Sequence, residues 1–311
     1  MTTRTRGLTL AAVTACISGV SIWVNSHGVA AYGDATAYTT AKNVASALVI
    51  AAVWMIARRL TVEHARGVGP TAFTRPSTAR HRWAYAYIAI LGGAVPFVLF
   101  FQGLASTAST QASFLHKTLV VWVALLAVPL LKERLTVWHG AAIALLVLGQ
   151  LGLAGGVSLR LDIGTLLILA ATLMWAVEVI VAKRLLTGVT PWTVSMVRMV
   201  GGSVALLTWA LLTGALPAVV PRTGDQWLWV AVTGVLLAAY VLTWHQALWR
   251  APAIDVTAVL VLGALVTAAL SGAFNAAPLA AQAPWLALIA LGGGLVWMAP
   301  RPAATRRPVA T

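Results

Sequence analysis

The segment WAYAYIAILGGAVPFVLFFQGL, residues 83–104, has a counterpart 144 residues later in WLWVAVTGVLLAAYVLTWHQAL, residues 227–248. Three identities set the alignment of the two segments: Trp83 with Trp227, Gln102 with Gln246, and Leu104 with Leu248. Each segment is about 20 mostly apolar residues long, the length of a helix that crosses the hydrocarbon core of a bilayer. The chain therefore contains a duplicated membrane span.

The duplication extends well beyond this pair of segments. Downstream, the same offset pairs Leu135 with Leu279, Gly149 with Gly293, and Leu151 with Leu295. Upstream, the offset widens to 156 for TTAKNVASALVIAA (39–52) and SMVRMVGGSVALLT (195–208), which pairs Lys42 with Arg198. At an offset of 157, Gly7 pairs with Gly164. Because these matches keep one order across five spans, they indicate an internal repeat.

Composition places the whole chain in a membrane. Of its 311 residues, 60% are hydrophobic and only 9% are charged, and the mean hydropathy is +0.89. A soluble domain carries about 25% charged residues. The single cysteine, Cys16, excludes a disulfide framework and a cysteine-rich metal site.

Ten apolar spans can be delimited between charged and Gly/Pro-rich breaks. They cover residues 8–27, 36–56, 83–103, 108–130, 137–155, 163–182, 190–213, 226–247, 252–272 and 283–299. The longest connection is the basic loop 57–80. The sequence thus predicts an all-α membrane protein with ten transmembrane helices.

The basic residues fall on alternate sides of these spans. With the N-terminus in the cytoplasm, the cytoplasmic segments hold 16 Lys and Arg residues and the opposite side holds only Arg160 and Arg222. This asymmetry follows the positive-inside rule and predicts both termini in the cytoplasm. It also accounts for most of the net charge of +14 without a nucleic-acid partner.

Five spans in each half have a topological consequence. An odd number of spans makes the second half enter the membrane from the opposite side, which predicts two inverted five-helix repeats at 1–157 and 158–300 and a cytoplasmic tail at 301–311. In proteins built this way, a solute site lies near the midplane between the repeats.

Polar residues inside the spans share helix faces. One face of span 1 carries Thr14, Ser18, Ser21 and Asn25, and its image in span 6 carries Ala171, Trp175, Glu178 and Ala182. Span 4 begins with Ser106, Thr110, Ser113 and Lys117 on one face, and span 2 carries Thr39, Lys42 or Asn43, and Ser46. Such a stripe lines a polar cavity or serves close helix packing, and the sequence leaves both interpretations open.

The charged residues inside the spans are the best candidates for a functional site. Lys117 lies near the midplane, where a cation costs about 2.5–3.5 kcal/mol on insertion scales, so we expect it to face water or a solute. The alternative is a neutral or hydrogen-bonded lysine that only holds span 4 against a neighbour. Lys42 lies nearer a helix end, where snorkelling to the interface is an alternative. Glu178 and Arg198 form either a structural ion pair or a gating and coupling site. His116 is a coupling candidate or a hydrogen-bonded core residue.

Other conspicuous residues are expected at the membrane interface. Asp255, His245 and Arg250 lie near the cytoplasmic ends of their spans. Many of the 14 tryptophans lie at span ends, as in an aromatic belt, whereas Trp175 lies deeper and is a candidate for a cavity wall. The sequence has no HExxH, GxSxG or Walker A motif, so an enzyme is not predicted.

The stretch AVPLLKERLTVWHGAAIALLVLGQL (127–151) has a Glu-Arg-Leu turn at the end of span 4, followed by a glycine-containing span 5. Nearly the whole chain resembles the EamA-like branch of the drug/metabolite transporter superfamily. The resemblance is carried by this stretch and by the division of the chain into two five-span halves. The basic residues Lys42 and Arg198 also fit that family. Two departures are the missing proline around residues 119–121 and Ala277 at the position that corresponds to Glu133.

The resemblance implies a transporter in the plasma membrane, without a cofactor or metal, with a small-molecule solute and lipid as partners and a homodimer as an option. The span charges, Lys42, Lys117 and Arg198 against Glu178, favour an anionic or zwitterionic solute such as an amino acid or organic acid. Trp175, Ser113 and Ser21 are the other candidate solute contacts. Export rests on the resemblance. The alternatives are efflux of cationic drugs with Glu178 as counter-ion, and a membrane protein without transport activity.

Overall fold

The structure, a computed structural model, describes residues 2–60, 72–106, 109–155, 162–275 and 279–300. Within these ranges, nine helices are long and apolar enough to cross a membrane, and the tenth, Val137–Leu153, is apolar but shorter. Each predicted span coincides with one of them, so the predicted all-α fold with ten membrane helices is confirmed. The predicted repeat boundary at 157/158, Ala277 and the tail 301–311 lie outside the described residues.

The ten membrane helices are numbered α1 to α10 in chain order. Six of them are continuous: α1 Thr3–Tyr32, α2 Ala35–Leu60, α5 Val137–Leu153, α6 Ile163–Leu185, α8 Gly224–Arg250 and α10 Leu279–Met298. Two contain a π-helical segment: α3 consists of Ala79–Ala86, the π segment Tyr87–Gly92 and Val95–Ser106, and α7 of Pro191–Met196, the π segment Val197–Gly201 and Gly202–Leu212. Two are broken: α4 into α4a Ser109–Lys117 and α4b Leu119–Leu131, and α9 into α9a Ala253–Leu260 and α9b Gly263–Asn275. A one-turn helix, Leu216–Val219, precedes α8.

Side-chain caps fix where many of these helices begin. A hydroxyl or carboxylate at the N-cap accepts a hydrogen bond from a free backbone N–H of the first turn, which stabilises the helix start. Such caps begin α1, α3, α5, α6, α7 and α8, at Thr2, Thr78, Thr136, Asp162, Thr190 and Thr223. In α5 the ring of His139 completes a capping box.

The helices pack in pairs that follow the internal repeat. α1 packs along α8, and its repeat counterpart α6 packs along α3. α5 packs along its own counterpart, α10. This last contact is close, since a Cβ on Gly149 would lie 2.6 Å from Ile289. The two inverted five-helix halves therefore pack around one pseudo-two-fold arrangement.

The breaks in α4 and α9 correct the expectation of continuous spans at 108–130 and 252–272. Thr118 interrupts α4, and the repeat offset of 144 places it on Leu262, which lies in the break of α9. The Thr118 hydroxyl donates to the Leu115 carbonyl at 2.6 Å, and Leu262 N–H donates to the Val259 carbonyl at 3.0 Å. These tightened turns need no proline, which is why residues 119–121 gave no sign of a break.

A buried ionic cluster closes one end of the bundle and corrects the interface assignment of Asp255. The Asp255 side chain is 1% exposed, and its carboxylate lies 2.7 Å from Arg4 Nε and 2.8 Å from His139 Nε2. It therefore joins the starts of α1, α5 and α9. Arg250 is half-buried at the end of α8 and bonds to Gln246 one turn earlier.

Glu133, in the family-like turn after α4b, caps the start of α9a. Its two carboxylate oxygens accept hydrogen bonds from Ala253 N–H at 2.7 Å and Ile254 N–H at 3.0 Å. Burial raises the pKa of the Glu133 carboxyl, and the two N–H donors partly oppose that shift. The turn thus links the fourth helix of the first half to the fourth helix of the second half.

Candidate functional site

A cavity of about 220 Å³ lies between the two halves, bounded by α1, α2, α3, α4, α6, α7 and α8. Seven of the eight residues predicted for the site line it: Lys42, Lys117, Arg198, Trp175, Ser21, Glu178 and His116. The eighth, Ser113, lines an adjoining cavity of about 390 Å³ between α1, α4, α5, α9 and α10. Lys117 lines both cavities.

Repeat-related positions meet in the central cavity. Its walls contain both members of five pairs from the sequence repeat: Ser18 and Trp175, Ser21 and Glu178, Ile22 and Val179, Lys42 and Arg198, and Phe100 and Trp244. The cavity therefore lies on the pseudo-two-fold relation between the halves, where inverted-repeat transporters bind their solutes.

The polar stripe of span 1 lines the cavity over part of its length and serves helix packing at another part. Ser18, Ser21 and Asn25 line the cavity, whereas Thr14 is fully buried against Thr243 at 2.8 Å between hydroxyl oxygens. In span 2, Lys42 faces the cavity and Asn43 is buried away from it.

Lys42 is held within the protein and does not reach for the membrane surface. Its side chain is 5% exposed, and its Nζ donates to Asn25 Oδ1 at 3.1 Å. The ammonium also lies over the rings of Tyr38 and Phe101, at 5.2 and 5.5 Å from their centroids, which is a cation–π distance. Among the described residues, no carboxylate lies within 4.0 Å of this ammonium.

Lys117 is the last residue of α4a, directly before the break at Thr118. No Asp or Glu of the described ranges lies within 4.0 Å of its ammonium either. The adjoining cavity also contains Gln150, whose buried Nε2 has no hydrogen-bond partner within the part of the chain that the structure describes. Lys117 therefore presents an unneutralised cation between two cavities.

Aromatic rings form one wall of the central cavity. The ring of His116 lies 5.3 Å from Phe100 and 5.0 Å from Trp175, between centroids. Trp175 Nε1 donates to the Gly92 carbonyl at 3.1 Å. Gly92 ends the π segment of α3, and such segments are frequent at functional sites because they alter the regular helical hydrogen bonds.

Close backbone contact between α3 and α7 positions Arg198 in the cavity wall. A Cβ on Gly93 would lie 2.4 Å from the Arg198 carbonyl, and one on Gly202 would lie 2.6 Å from the Gly93 carbonyl. A Cβ on Gly92 would meet Glu178 Cγ at 2.6 Å. These glycines let the helices approach closely enough for Arg198 of α7 to reach Glu178 of α6.

Glu178 and Arg198 form the ion pair that the sequence left open. Arg198 Nε lies 3.3 Å from Glu178 Oε1, and the two side chains are 8% and 3% exposed. The guanidinium carbon also lies 5.7 Å from the centroid of Phe97. Both residues also line the cavity, so the pair is buried at the cavity wall.

His245 corrects the interface assignment and is the functional-site candidate that sequence reasoning missed. It is completely buried, with Nε2 at 3.8 Å from Glu178 Oε1 and Nδ1 at 2.9 Å from Ser195 Oγ. No signal in the sequence marked His245, because the position of its repeat partner on the cavity wall is known only from the structure. The repeat offset of 144 pairs His245 with Phe101, which lies on the cavity wall.

The described residues thus form a membrane protein of two inverted repeats that meet at a central cavity. The model of the EamA-like transporter family matches residues 5–155 and 162–298, one match in each half. The chain therefore belongs to the EamA-like transporter family, within the drug/metabolite transporter superfamily.

Solved structures share this fold. One is a crystal structure of a protein that is 19% identical in sequence, with a TM-score of 0.76. The match covers 94% of this chain and 98% of the chain in that structure. At that identity the likeness concerns the fold alone. No curated protein matches the chain.

Proposed function

We propose that the protein is a secondary transporter that exports a small anionic or zwitterionic metabolite, such as an amino acid or organic acid. The observation that carries this proposal is the charge of the central cavity. Three cations, Lys42, Lys117 and Arg198, line it against one carboxylate, Glu178, which Arg198 already engages. A low-dielectric cavity with surplus positive charge concentrates anions.

The roles of the lining residues follow from their positions. Lys117 and Lys42 bind the solute carboxylate, and Arg198 joins them when it separates from Glu178. Trp175 and Ser21 contact the body of the solute, and Ser113 lines the route past Lys117. Glu178 and His116 act in coupling or gating.

Alternating access would use the broken helices. α4 and α9 are related by the repeat and break at matching positions, so each half contributes one helix that can bend beside the adjoining cavity, which both helices line. The chain carries no ATP-binding motif, and transport would run on a gradient. We place the protein in the plasma membrane, as the family resemblance implies, and both termini in the cytoplasm, because of the distribution of Lys and Arg.

Efflux of cationic drugs is the competing function, with Glu178 as counter-ion. It needs a carboxylate that is free to meet a cation, whereas Glu178 lies between Arg198 and His245. That arrangement favours the anionic solute.

A thermal-shift screen on purified protein in detergent distinguishes the two functions. The test compounds are succinate, benzoate and L-glutamate as anions, L-leucine as a zwitterion, and ethidium and tetraphenylphosphonium as cations. A ligand that binds only the folded state raises the melting temperature by mass action. We expect stabilisation by one or more of the first four. Stabilisation by the two cations alone would overturn the proposal in favour of drug efflux.

A further inference from the structure

The hydrogen bonds of Ser195 determine which nitrogen of His245 carries a proton. The Ser195 hydroxyl donates to the Pro191 carbonyl at 2.9 Å, and a hydroxyl has only one proton to give. The 2.9 Å contact between Ser195 Oγ and His245 Nδ1 must therefore be donated by Nδ1–H. Nδ1 is protonated in both charge states of the ring, and the proton that comes and goes belongs to Nε2.

His245 Nε2 and Arg198 Nε approach the same carboxylate oxygen. Their distances to Glu178 Oε1 are 3.8 and 3.3 Å. All three atoms are buried, and within the described residues none has a partner in hydrogen-bond geometry. Buried polar atoms in this state call for an explanation. Here the carboxylate stands between two competing donors and is hydrogen-bonded to neither.

The neighbouring groups leave His245 and Glu178 as the proton acceptors of this cluster. Arg198 of α7 stays cationic. The phenols of Tyr87 in α3 and Tyr240 in α8 also interact electrostatically with Glu178, but a phenol stays neutral near pH 7. Lys42 and Lys117 lie on other parts of the cavity wall.

We propose that His245 Nε2 is a coupling proton site of the transporter, which acts through Glu178, and that its protonation releases Arg198 from Glu178 to bind the solute anion. Protonated Nε2–H becomes a charged donor directed at Glu178, so the carboxylate bonds to the histidine and the guanidinium turns to the cavity. Loss of the proton reverses both contacts. Ser195 acts as the positioning residue, because it holds Nδ1–H and so directs Nε2 at Glu178.

The proposal rests on the proposed function, since it assigns Arg198 to an anionic solute. Coupling between two ligands is reciprocal. A proton on His245 strengthens anion binding, and a bound anion strengthens proton binding by the same factor, roughly 5- to 150-fold for typical coupling energies. Proton and anion would then occupy the cavity together.

Nuclear magnetic resonance of ring nitrogens tests the proton site without any solute. The full chain, with ¹⁵N-labelled histidine and arginine, is studied in lipid nanodiscs between about pH 5 and 8. The signals of His245 are identified as those that disappear in His245→Asn. A change in their chemical shifts in Ser195→Ala confirms the assignment. We expect neutral His245 to carry its proton on Nδ1, titration to occur at Nε2, and the Arg198 Nε signal to shift over the same pH range.

Two variants complete the test. In Ser195→Ala the Nδ1–H donor loses its acceptor, so we expect the neutral ring to move its proton to Nε2, facing Glu178. His81→Asn, at the start of α3 and away from the cavity, should leave all these signals unchanged. Three results would each overturn the proposal. They are a neutral wild-type ring with its proton on Nε2, a ring that keeps one charge state over the whole pH range, and an Arg198 signal that does not change when His245 titrates. Because no solute is added, failure of the anion screen leaves this test intact.

Discussion

Lys117 illustrates how one charged residue can be tolerated in an apolar span. It ends α4a at a break, lines two cavities, and has no carboxylate of the described residues within 4.0 Å. A cation at the membrane midplane is costly unless it meets water or an opposite charge. In this structure the cavities supply the water-facing surface, and in the proposed function a solute anion supplies the charge.

The Lys117→Met variant tests that role, because methionine has a similar length but no charge. We expect a folded protein whose affinity for the anionic solute falls about tenfold or more, since a charge-assisted hydrogen bond is worth roughly 1.5–3 kcal/mol. Calorimetric titration at constant pH measures the affinity. Lys132→Met, which removes the same charge outside the cavity, should bind as the wild type does. Equal affinity in all three proteins would remove Lys117 from the site.

Glu178→Gln tests the buried pair. Removing the carboxylate strands the Arg198 guanidinium, and breaking a buried pair in this way costs about 3–5 kcal/mol. We expect a lower melting temperature, with partial recovery when the charges are exchanged in Glu178→Arg combined with Arg198→Glu. A Glu178→Gln protein of unchanged stability would show that the pair contributes nothing to folding.

Among single residues, the charged residues of the cavity could be predicted from the sequence and His245 could not. A lysine, arginine or glutamate inside an apolar span stands out because it is costly there. A histidine near a span end is equally compatible with the membrane interface, and only the packing of α8 against α6 and α7 brings His245 beside Glu178 and Ser195.

Among the helices, the contact between Glu133 and α9a gives the family-like turn a structural role. The first N–H groups of a helix have no partner within it, and α9a begins after Pro252 with no side-chain cap of its own. Glu133 supplies that cap from the end of α4b. The turn therefore holds the two broken helices in register, one from each half.

The Glu133→Ala substitution removes this cap, and we expect the free energy of unfolding to fall by about 0.5–2 kcal/mol, as for other N-caps. Thermal unfolding in detergent measures the change. Asp225→Asn, an exposed acidic residue in the first turn of α8, is the control and should have little effect. A Glu133→Ala protein as stable as the control would show that α9a does not depend on this carboxylate.

The positions of the helices followed from apolar length, but their interruptions did not. Apolar runs bounded by charge reveal a span because the bilayer demands both. The breaks at Thr118 and Leu262 arise from tightened turns without proline or a glycine pair. The π segments of α3 and α7 pack against each other next to the close contact of Gly93 with Gly202, a tertiary feature that has no local pattern.

For the whole molecule, most of the fold could be predicted from the internal repeat. Matching residues such as Lys42 and Arg198 predicted two related halves, and the five spans in each half predicted their opposite orientation. In the structure these two residues line one cavity. The shape and volume of that cavity depend on packing between distant segments and could not be derived from the alignment.

The orientation in the membrane is tested by cysteine labelling in intact cells, in a background without Cys16. Cysteines at Ala72 and Thr305 should be protected from an impermeant thiol reagent, whereas one at Thr223 should react, because Lys and Arg collect on the cytoplasmic side. Reaction at Ala72 in unbroken cells would contradict the predicted orientation.

The central claim is that the cavity between the inverted repeats carries an anionic or zwitterionic solute across the membrane. Counterflow in sealed proteoliposomes tests it most directly: vesicles are loaded with an excess of the strongest binder among succinate, benzoate, L-glutamate and L-leucine, and the same radiolabelled compound is added outside. We predict transient accumulation of label inside vesicles with the wild-type protein, and accumulation reduced about tenfold or more with Lys117→Met at a solute concentration below the dissociation constant. Equal label in wild-type and protein-free vesicles, for a compound that the purified protein binds, would contradict the account.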